Sequence, residues 1–381
     1  MREYALVFVV AAAVTYLLTV LARESALRLG AVARVRDRDV HDVPIPYFGG
    51  IAMCGGLVSA LLVARHLPFL SSGLAVFHDA GVVVAAGVMI CAVGVLDDLF
   101  ELDALTKLGG QVLAAGFLVA SGIRFYYFPT TDGTVFSLDP AQGALLTGFV
   151  VVATVNAVNF VDGLDGLAAG MVGLGALAFF VFCYQLTRIN NADRATSAAF
   201  LAIALAGVCA GFLPHNVNPA RLFMGDSGSM LLGLVLSASA ITLTGQFADG
   251  DLSQGGAGGQ ASLAPTLLPL LLPPLAVLIV PLLDLVLAVV RRTAQGRSPF
   301  APDKQHLHHR LLEIGHSQRR AVMIMWMWAA LISFGTVVAS LYAAPWVWAT
   351  LAVSTVVAVV LTFAIPESEE PVVPTLPAGG A

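Results

Sequence analysis

The sequence predicts an all-α, polytopic integral membrane protein of about 11 transmembrane helices, with the N-terminus outside the membrane and the C-terminus cytoplasmic. Three observations lead there. Of 381 residues, 58% are hydrophobic and only 11% are charged, with a mean hydropathy of +0.87, whereas soluble domains carry about 25% charged residues. Apolar segments recur along the chain and, at roughly 20 residues each, eleven of them would take up more than half of it. The basic residues, finally, gather on alternate loops. Little is left over but loops, which excludes a separate soluble catalytic domain, a dinucleotide-binding unit, a zinc ribbon or a nucleic-acid module.

The first segment, 4–22, has the length of a signal peptide. It runs into Arg23, Arg28, Arg34, Arg36 and Arg38 with no small-residue cleavage site before them, so it reads as a retained first helix. Segments 48–64, 79–96, 108–122, 141–159, 166–184, 196–213 and 229–244 follow, several of them short and glycine-rich. The polar stretch 245–263 is flexible filler without Lys or Arg. Segment 264–290 is long and holds Pro265, Pro269, Pro273, Pro274 and Pro281, which suggests tilt or a break. Segments 321–342 and 345–364 close a single membrane domain, 1–365, and the Pro- and Glu-containing tail 366–381 reads as a disordered cytoplasmic end. Cys54, Cys91, Cys183 and Cys209 each lie within an apolar run, none in a C-x-x-C pair, as packed free thiols do.

Placing the N-terminus outside puts loops 23–47, 97–107, 160–165, 214–228 and 291–320 in the cytoplasm. They hold 14 of the 19 Lys and Arg residues: Arg23, Arg28, Arg34, Arg36, Arg38, Lys107, Arg221, Arg291, Arg292, Arg297, Lys304, Arg310, Arg319 and Arg320. The outer side keeps 5, namely Arg2, Arg65, Arg124, Arg188 and Arg194. Basic residues prefer the cytoplasmic side, so the split supports eleven spans in this orientation.

Those inner loops also hold most of the residues with chemistry. Asp97 and Asp98 sit at the inner mouth of the third span, where an acidic pair could also simply end a helix. Asn156, Asn159, Asp162 and Asp165 recur every three residues, and on a continuing helix they would share one stripe. Polar groups in a membrane are costly and usually face a cavity or a partner. Gly163 and Gly166 would let the backbone turn there. Asp226 lies between two glycines before the eighth span, five residues after Arg221. A last loop carries Arg297, Lys304, His306, His308, His309 and Arg310. Zinc is disfavoured there, because no cysteine accompanies the histidines and the neighbouring cations would repel a metal. Carboxylates suited to a hard divalent cation, combined with basic groups suited to phosphate oxygens, are what phosphoryl transfer requires. Their place at the inner surface implies one phosphorylated substrate from the cytoplasm and one lipid substrate from the bilayer.

Several stretches, in order, resemble the polyprenyl-phosphate N-acetylhexosamine-1-phosphate transferases: PIPYFGG at 44–50, GVLDDLFELDALTKLGGQ at 94–111, NAVNFVDGLDGLAAG at 156–170, NPARLFMGDSGSMLLG at 218–233, PLLDLVLAVVRR at 281–292 and SPFAPDKQHLHHRL at 298–311. The likeness is greatest to the bacterial branch acting on N-acetylglucosamine. It implies transfer of N-acetylglucosamine-1-phosphate from UDP-N-acetylglucosamine to undecaprenyl or decaprenyl phosphate. The products would be the lipid diphosphate sugar and UMP, in the first lipid-linked step of cell-envelope glycopolymer synthesis. The resemblance further implies a multi-pass protein of the bacterial plasma membrane with its active site facing the cytoplasm, Mg²⁺ with Mn²⁺ as a substitute, no nucleic acid partner, and a homodimer as one form of assembly.

By that resemblance Asp98 and Asp226 are magnesium-associated carboxylates. Asp97 is either a base for the lipid phosphate or a residue that orients it, and Lys107 pairs with the acidic centre and contacts phosphate. Asn159, Asp162, Asp165 and Asn216 belong to the nucleotide-sugar cleft, with Asp165 facing the uracil. His306, His308 and His309 belong to a loop that closes over the sugar nucleotide, His308 being counted among the catalytic residues, and Arg221, Arg297 and Arg310 are assigned to substrate binding. Leu307 interrupts the three consecutive histidines found in the peptidoglycan-precursor branch, which favours N-acetylglucosamine, another UDP-N-acetylhexosamine being the alternative. A secondary transporter would carry its charges near mid-bilayer. A CDP-alcohol phosphotransferase would show further aspartates after Asp165, where the chain reads GLAAG.

Overall fold

The structure, a computed structural model, describes residues 1–32, 45–71, 74–129, 135–190, 195–244, 311–342 and 344–363. The first helix, α1 (Arg2–Leu29), runs past the expected end at residue 22, because Arg23, Glu24 and Arg28 are good helix formers and nothing breaks the turn before Gly30. Gly30 takes the left-handed conformation, φ 70°, that closes many helices. Next come α2 (Gly49–Ala64), the single turn α3 (Pro68–Ser71), α4 (Leu74–Phe100) and α5 (Ala104–Ala120). After a short hairpin the chain continues as α6 (Pro140–Val161), α7 (Leu167–Asn190), α8 (Ala195–Asn216) and α9 (Gly225–Thr244). The last two helices are α10 (Gln318–Leu341) and α11 (Pro345–Phe363).

Eight of these helices are long and apolar enough to cross a membrane, and α2 and α5 are shorter apolar helices. The fold is therefore that of a polytopic, mostly helical membrane protein. The expected span 264–290 lies outside the described residues. The hairpin qualifies the all-α expectation: β1 (Tyr127–Pro129) pairs antiparallel with β2 (Val135–Ser137) between α5 and α6. Its strands are too short to have shown a period-two pattern.

Two boundaries differ in ways that matter for function. α4 extends to Phe100, so Asp97 and Asp98 occupy its last turn and not a loop 97–107. No breaker intervenes after Leu96, and the helix stops where Glu101 adopts φ 49°. The connection shrinks to three residues, since Asp103 caps α5 by accepting hydrogen bonds from the amides of Leu105 and Thr106. The expected stripe from Asn156 to Asp165 is also broken. α6 ends at Val161, Asp162 is its C-terminal cap, and Gly166 turns at φ 77°.

α8 and α9 are buried along most of their length, whereas α1 and α11 keep most of theirs exposed. α9 is the hub, packed against α2, α4, α6 and α8, while α7 joins α8 to α10 and α10 carries α11. Small residues let backbones approach closely, which is how membrane helices gain contact without a hydrophobic driving force between them. Gly94 of α4 meets the main chain of Asp226 and Ser227, and Gly50 of α2 meets Ser227 and Gly228. Backbone bonds lock the same corner: Gly49 N–H donates to the Phe223 carbonyl at 3.0 Å, Gly50 N–H to that of Met224 at 2.9 Å, and Phe223 N–H to that of Pro46 at 2.9 Å.

A methyl group at Gly94 would have to displace backbone, so Gly94→Ala should lower stability by about 1–3 kcal/mol. Gly116→Ala, where an added Cβ meets nothing within 4 Å, should be neutral or stabilise by up to ~1 kcal/mol. Thermal unfolding of both variants in detergent decides the matter, and equal melting would contradict the close-packed corner.

Candidate active site

The last turn of α4 and the first turns of α5 and α9 meet at one end of the bundle, together with the C-terminal turn of α6. Asp97 and Asp98 are half-buried there. Asp98 accepts from the amides of Asp226 at 2.8 Å and Ser227 at 3.3 Å, so its carboxylate sits on the N-terminus of α9. The first amides of a helix have no partner within it and carry partial positive charge, which makes them an anion site. Gly225, at φ 67°, makes that approach feasible, since a Cβ there would fall within 2.5 to 2.8 Å of the Asp98 carboxylate.

The turn that presents those amides also aims Asp226 at Lys107, which donates to Asp226 and, at 3.0 Å, to Asp97 Oδ2. Asp97 Oδ1 accepts from Leu102 N–H at 2.9 Å. From α6, Asn159 Nδ2 donates to Asp226 Oδ1 at 2.6 Å and to Ser229 Oγ at 2.8 Å. Asn156, three residues earlier, is not in this cluster. It pairs with Gln111 of α5 at 2.6 Å and so ties α5 to α6. The centre pairs one ammonium with the carboxylates of Asp97 and Asp226, Asp226 and Lys107 being partly open to solvent, while a third carboxylate, Asp98, is seated on the amides of α9 next to it.

Beyond α6 the chain makes the turn 162–166. Asp165 is buried, and its Oδ2 accepts from Asn218 Nδ2 and from Ala220 N–H, both at 3.0 Å. Asn216 is buried too, its amide accepting from Gly166 N–H at 3.0 Å and donating to the Leu222 carbonyl at 3.1 Å. Both side chains thus hold this turn to the loop 217–222. Arg221 is exposed on that loop, where its carbonyl accepts from Arg23 Nε at 3.2 Å. Arg297, His306, His308, His309 and Arg310 lie outside the described residues.

Four partners were not singled out from sequence: Ser229 and Asn218, which lie within the stretch 218–233, and Gln318 and Trp326, which lie in no motif. Ser229 stands three residues after Asp226, a spacing that would have placed it on the same helical face. Asn218 opens the stretch that carries Asp226, and Gln318 and Trp326 are brought to the site by tertiary packing alone.

Residues 80–244 match the model of glycosyl transferase family 4. Over 95% of its length the chain is 46% identical to decaprenyl-phosphate N-acetylglucosaminephosphotransferase of Mycolicibacterium smegmatis, covering 88% of that protein. The Mycobacterium leprae protein of the same name is 43% identical over 88% of the chain and 83% of its own length. The chain belongs to glycosyl transferase family 4. A more distant relative, undecaprenyl-phosphate alpha-N-acetylglucosaminyl 1-phosphate transferase of Salmonella typhimurium, is 28% identical over 82% of the chain and 77% of that protein. Every residue of the Lys107 cluster lies inside the segment matched to the family.

Asp162 stands just past the end of α6, half-buried. Burial, reinforced by the negative charges of Asp226, Asp98 and Asp165, pushes its carboxyl up to about 8. The folded protein then binds a proton that the unfolded chain has lost, so this group makes stability fall as pH rises from the ordinary carboxylate range toward 8. Asparagine mimics the protonated form. In chelator-containing buffer Asp162→Asn should therefore raise the melting temperature more at pH 8.5 than at pH 5, and a difference that does not grow with pH would show that Asp162 ionises normally.

Proposed function

We propose that the protein transfers N-acetylglucosamine-1-phosphate from UDP-N-acetylglucosamine to a membrane polyprenyl phosphate, releasing UMP. Decaprenyl phosphate is the favoured acceptor, because the relatives at 43% and 46% identity are named for it. The observation that carries the reading is the cluster in which Lys107 pairs with Asp97 and Asp226 while Asp98 seats the helix that bears Asp226, built at the ends of apolar helices where a lipid phosphate and a soluble nucleotide can meet. Eleven spans with the N-terminus outside would set this cluster on the cytoplasmic face, the side to which 14 of the 19 basic residues fall. A nucleotide sugar is supplied from that side.

Three carboxylates against one ammonium leave an excess of negative charge, all of it on hard oxygen donors, which fits Mg²⁺. Among the described residues no group of three or more His, Cys, Asp or Glu side chains could hold a metal alone. Mg²⁺ commonly takes one or two carboxylates and completes its shell with substrate phosphates and water. Asp226 and Asp98 are the residues that would hold it, and when bound it would neutralise charge on the diphosphate.

The chain's own groups do the rest. Lys107 offers an ammonium to phosphate oxygens at the point where the lipid phosphate must approach. Asn159 fixes the rotamer of Asp226, and Asp98 fixes the helix that bears it. An oxygen of the lipid phosphate attacks the phosphorus attached to the sugar, and the bond to the UMP oxygen breaks. The nucleophile is mostly dianionic at neutral pH, since the second pKa of a phosphomonoester lies near 6. It needs little help from a base. Asp97, held between Lys107 and the Leu102 amide, acts by orienting Lys107.

The reaction is tested by incubating the purified protein with radiolabelled UDP-N-acetylglucosamine, decaprenyl phosphate and Mg²⁺. Labelled lipid diphosphate sugar and free UMP should appear together, and Asp226→Asn should lower kcat by at least ~10²-fold while remaining folded. Absence of the lipid product with the wild-type protein, or near-normal turnover by the variant, would refute the assignment. For Asp97, kcat/KM measured between pH 6.5 and 9 should fall by a similar factor throughout in Asp97→Asn. More than tenfold recovery at the alkaline end would identify it as a general base instead.

A further inference from the structure

The Asp162–Gly166 turn joins the end of α6 to the start of α7 beside the Lys107 cluster, and on the transferase reading it borders the nucleotide sugar. Its neighbours come from a helix far away in sequence. Asn218 Nδ2, which donates to Asp165, also donates to Gln318 Oε1 at 2.8 Å. Arg319 Nε donates to the Asn218 carbonyl at 3.0 Å, so the first turn of α10 grips Asn218 by both its side chain and its main chain. Two turns further along α10, Trp326 Nε1 donates to the carbonyls of Gly166 and Leu167 at 3.2 and 3.3 Å. The indole ring lies where a side chain at Gly170 would be. Helix α10 therefore holds the turn at two points, once through Asn218 and once directly.

Gln318 is not explained by packing. Its Nε2 is buried without a hydrogen-bond partner among the described residues. An unmet buried donor is destabilising, and a methionine of similar length would avoid that cost. What glutamine supplies here is the oxygen that accepts from Asn218. With Gln318 in place, the two amide protons of Asn218 are divided between Asp165 and Gln318, which fixes the direction of the Asn218 amide and hence the seat of the Asp165 carboxylate. Without it, the Asn218 amide can rotate away and the turn loses one of its anchors.

We infer that Gln318 and Trp326 are positioning residues for the Asp162–Gly166 turn, so that α10, which adds no charged group to the Lys107 cluster, sets the affinity for the nucleotide sugar. The inference rests on the transferase reading for the identity of that substrate. It predicts a split between binding and chemistry, because the turn borders the cluster without belonging to it.

The experiment uses the full-length protein in detergent and two readouts, UMP binding by calorimetry and steady-state kinetics. Gln318→Met should weaken UMP binding and raise KM for UDP-N-acetylglucosamine about tenfold. The change should leave kcat and KM for decaprenyl phosphate within twofold and leave the melting temperature equal or higher. Gln318→Glu, which keeps an oxygen for Asn218 at the N-terminus of a helix, should return both values to within threefold of wild type. Trp326→Phe, which keeps the ring and removes the N–H, should weaken UMP binding threefold or more. Unchanged UMP affinity in Gln318→Met, a loss confined to kcat, or a wild-type protein that does not bind UMP would each overturn the inference. A wild-type protein that binds UMP yet makes no lipid product would instead overturn the transferase reading, and the UMP arm would still judge α10.

Discussion

Asp98 accepts the amide protons of Asp226 and Ser227, and through that contact a carboxylate on one apolar helix caps the N-terminus of another. Neither partner is comfortable alone. A carboxylate at the edge of a bilayer and a helix start without hydrogen-bond partners are each costly in a medium of low polarity, and each removes the cost of the other. The contact also dictates geometry. It needs Gly225 in a left-handed turn and Gly94 and Gly50 flush against the α9 backbone, so the central helix of the bundle has one depth and one rotation at which all three are satisfied.

That seat decides where Asp226 points, and the charge pattern follows from it. Lys107 bridges Asp226 and Asp97 in the first turn of α5, and Asn159 closes the other side of Asp226 from α6. The group is internally bonded but not neutral, with one ammonium for three carboxylates. A cluster of this kind keeps its shape while favouring cations, and its complement is a metal that also binds phosphate.

The turn that follows α6 is held in a different manner. Asn216 comes from the end of α8, Asn218 from the loop between α8 and α9, and Gln318 and Trp326 from α10. Acidic residues that would otherwise scatter along a flexible connection are thereby assembled beside the Lys107 cluster. The energetic weight lies on buried, directional hydrogen bonds, which specify orientation more sharply than apolar contacts do.

Sequence by itself determined the class of the protein and the identity of most charged residues at its centre. Hydropathy marks the helices because a backbone in a bilayer must satisfy its own hydrogen bonds, and a carboxylate such as Asp226 stands out among apolar neighbours because its burial is expensive. Neither signal carries distance. Only the tertiary structure decided that α4 continues through Asp97 and Asp98, that Asn156 leaves the cluster to pair with Gln111, and that Asn216 serves the backbone of Gly166. The same holds for Gln318 and Trp326, ordinary polar and aromatic residues in a helix without a motif. Their partners lie 100 and 160 positions away, and a hydrogen bond between remote segments exists only once packing has brought them within about 3 Å of each other.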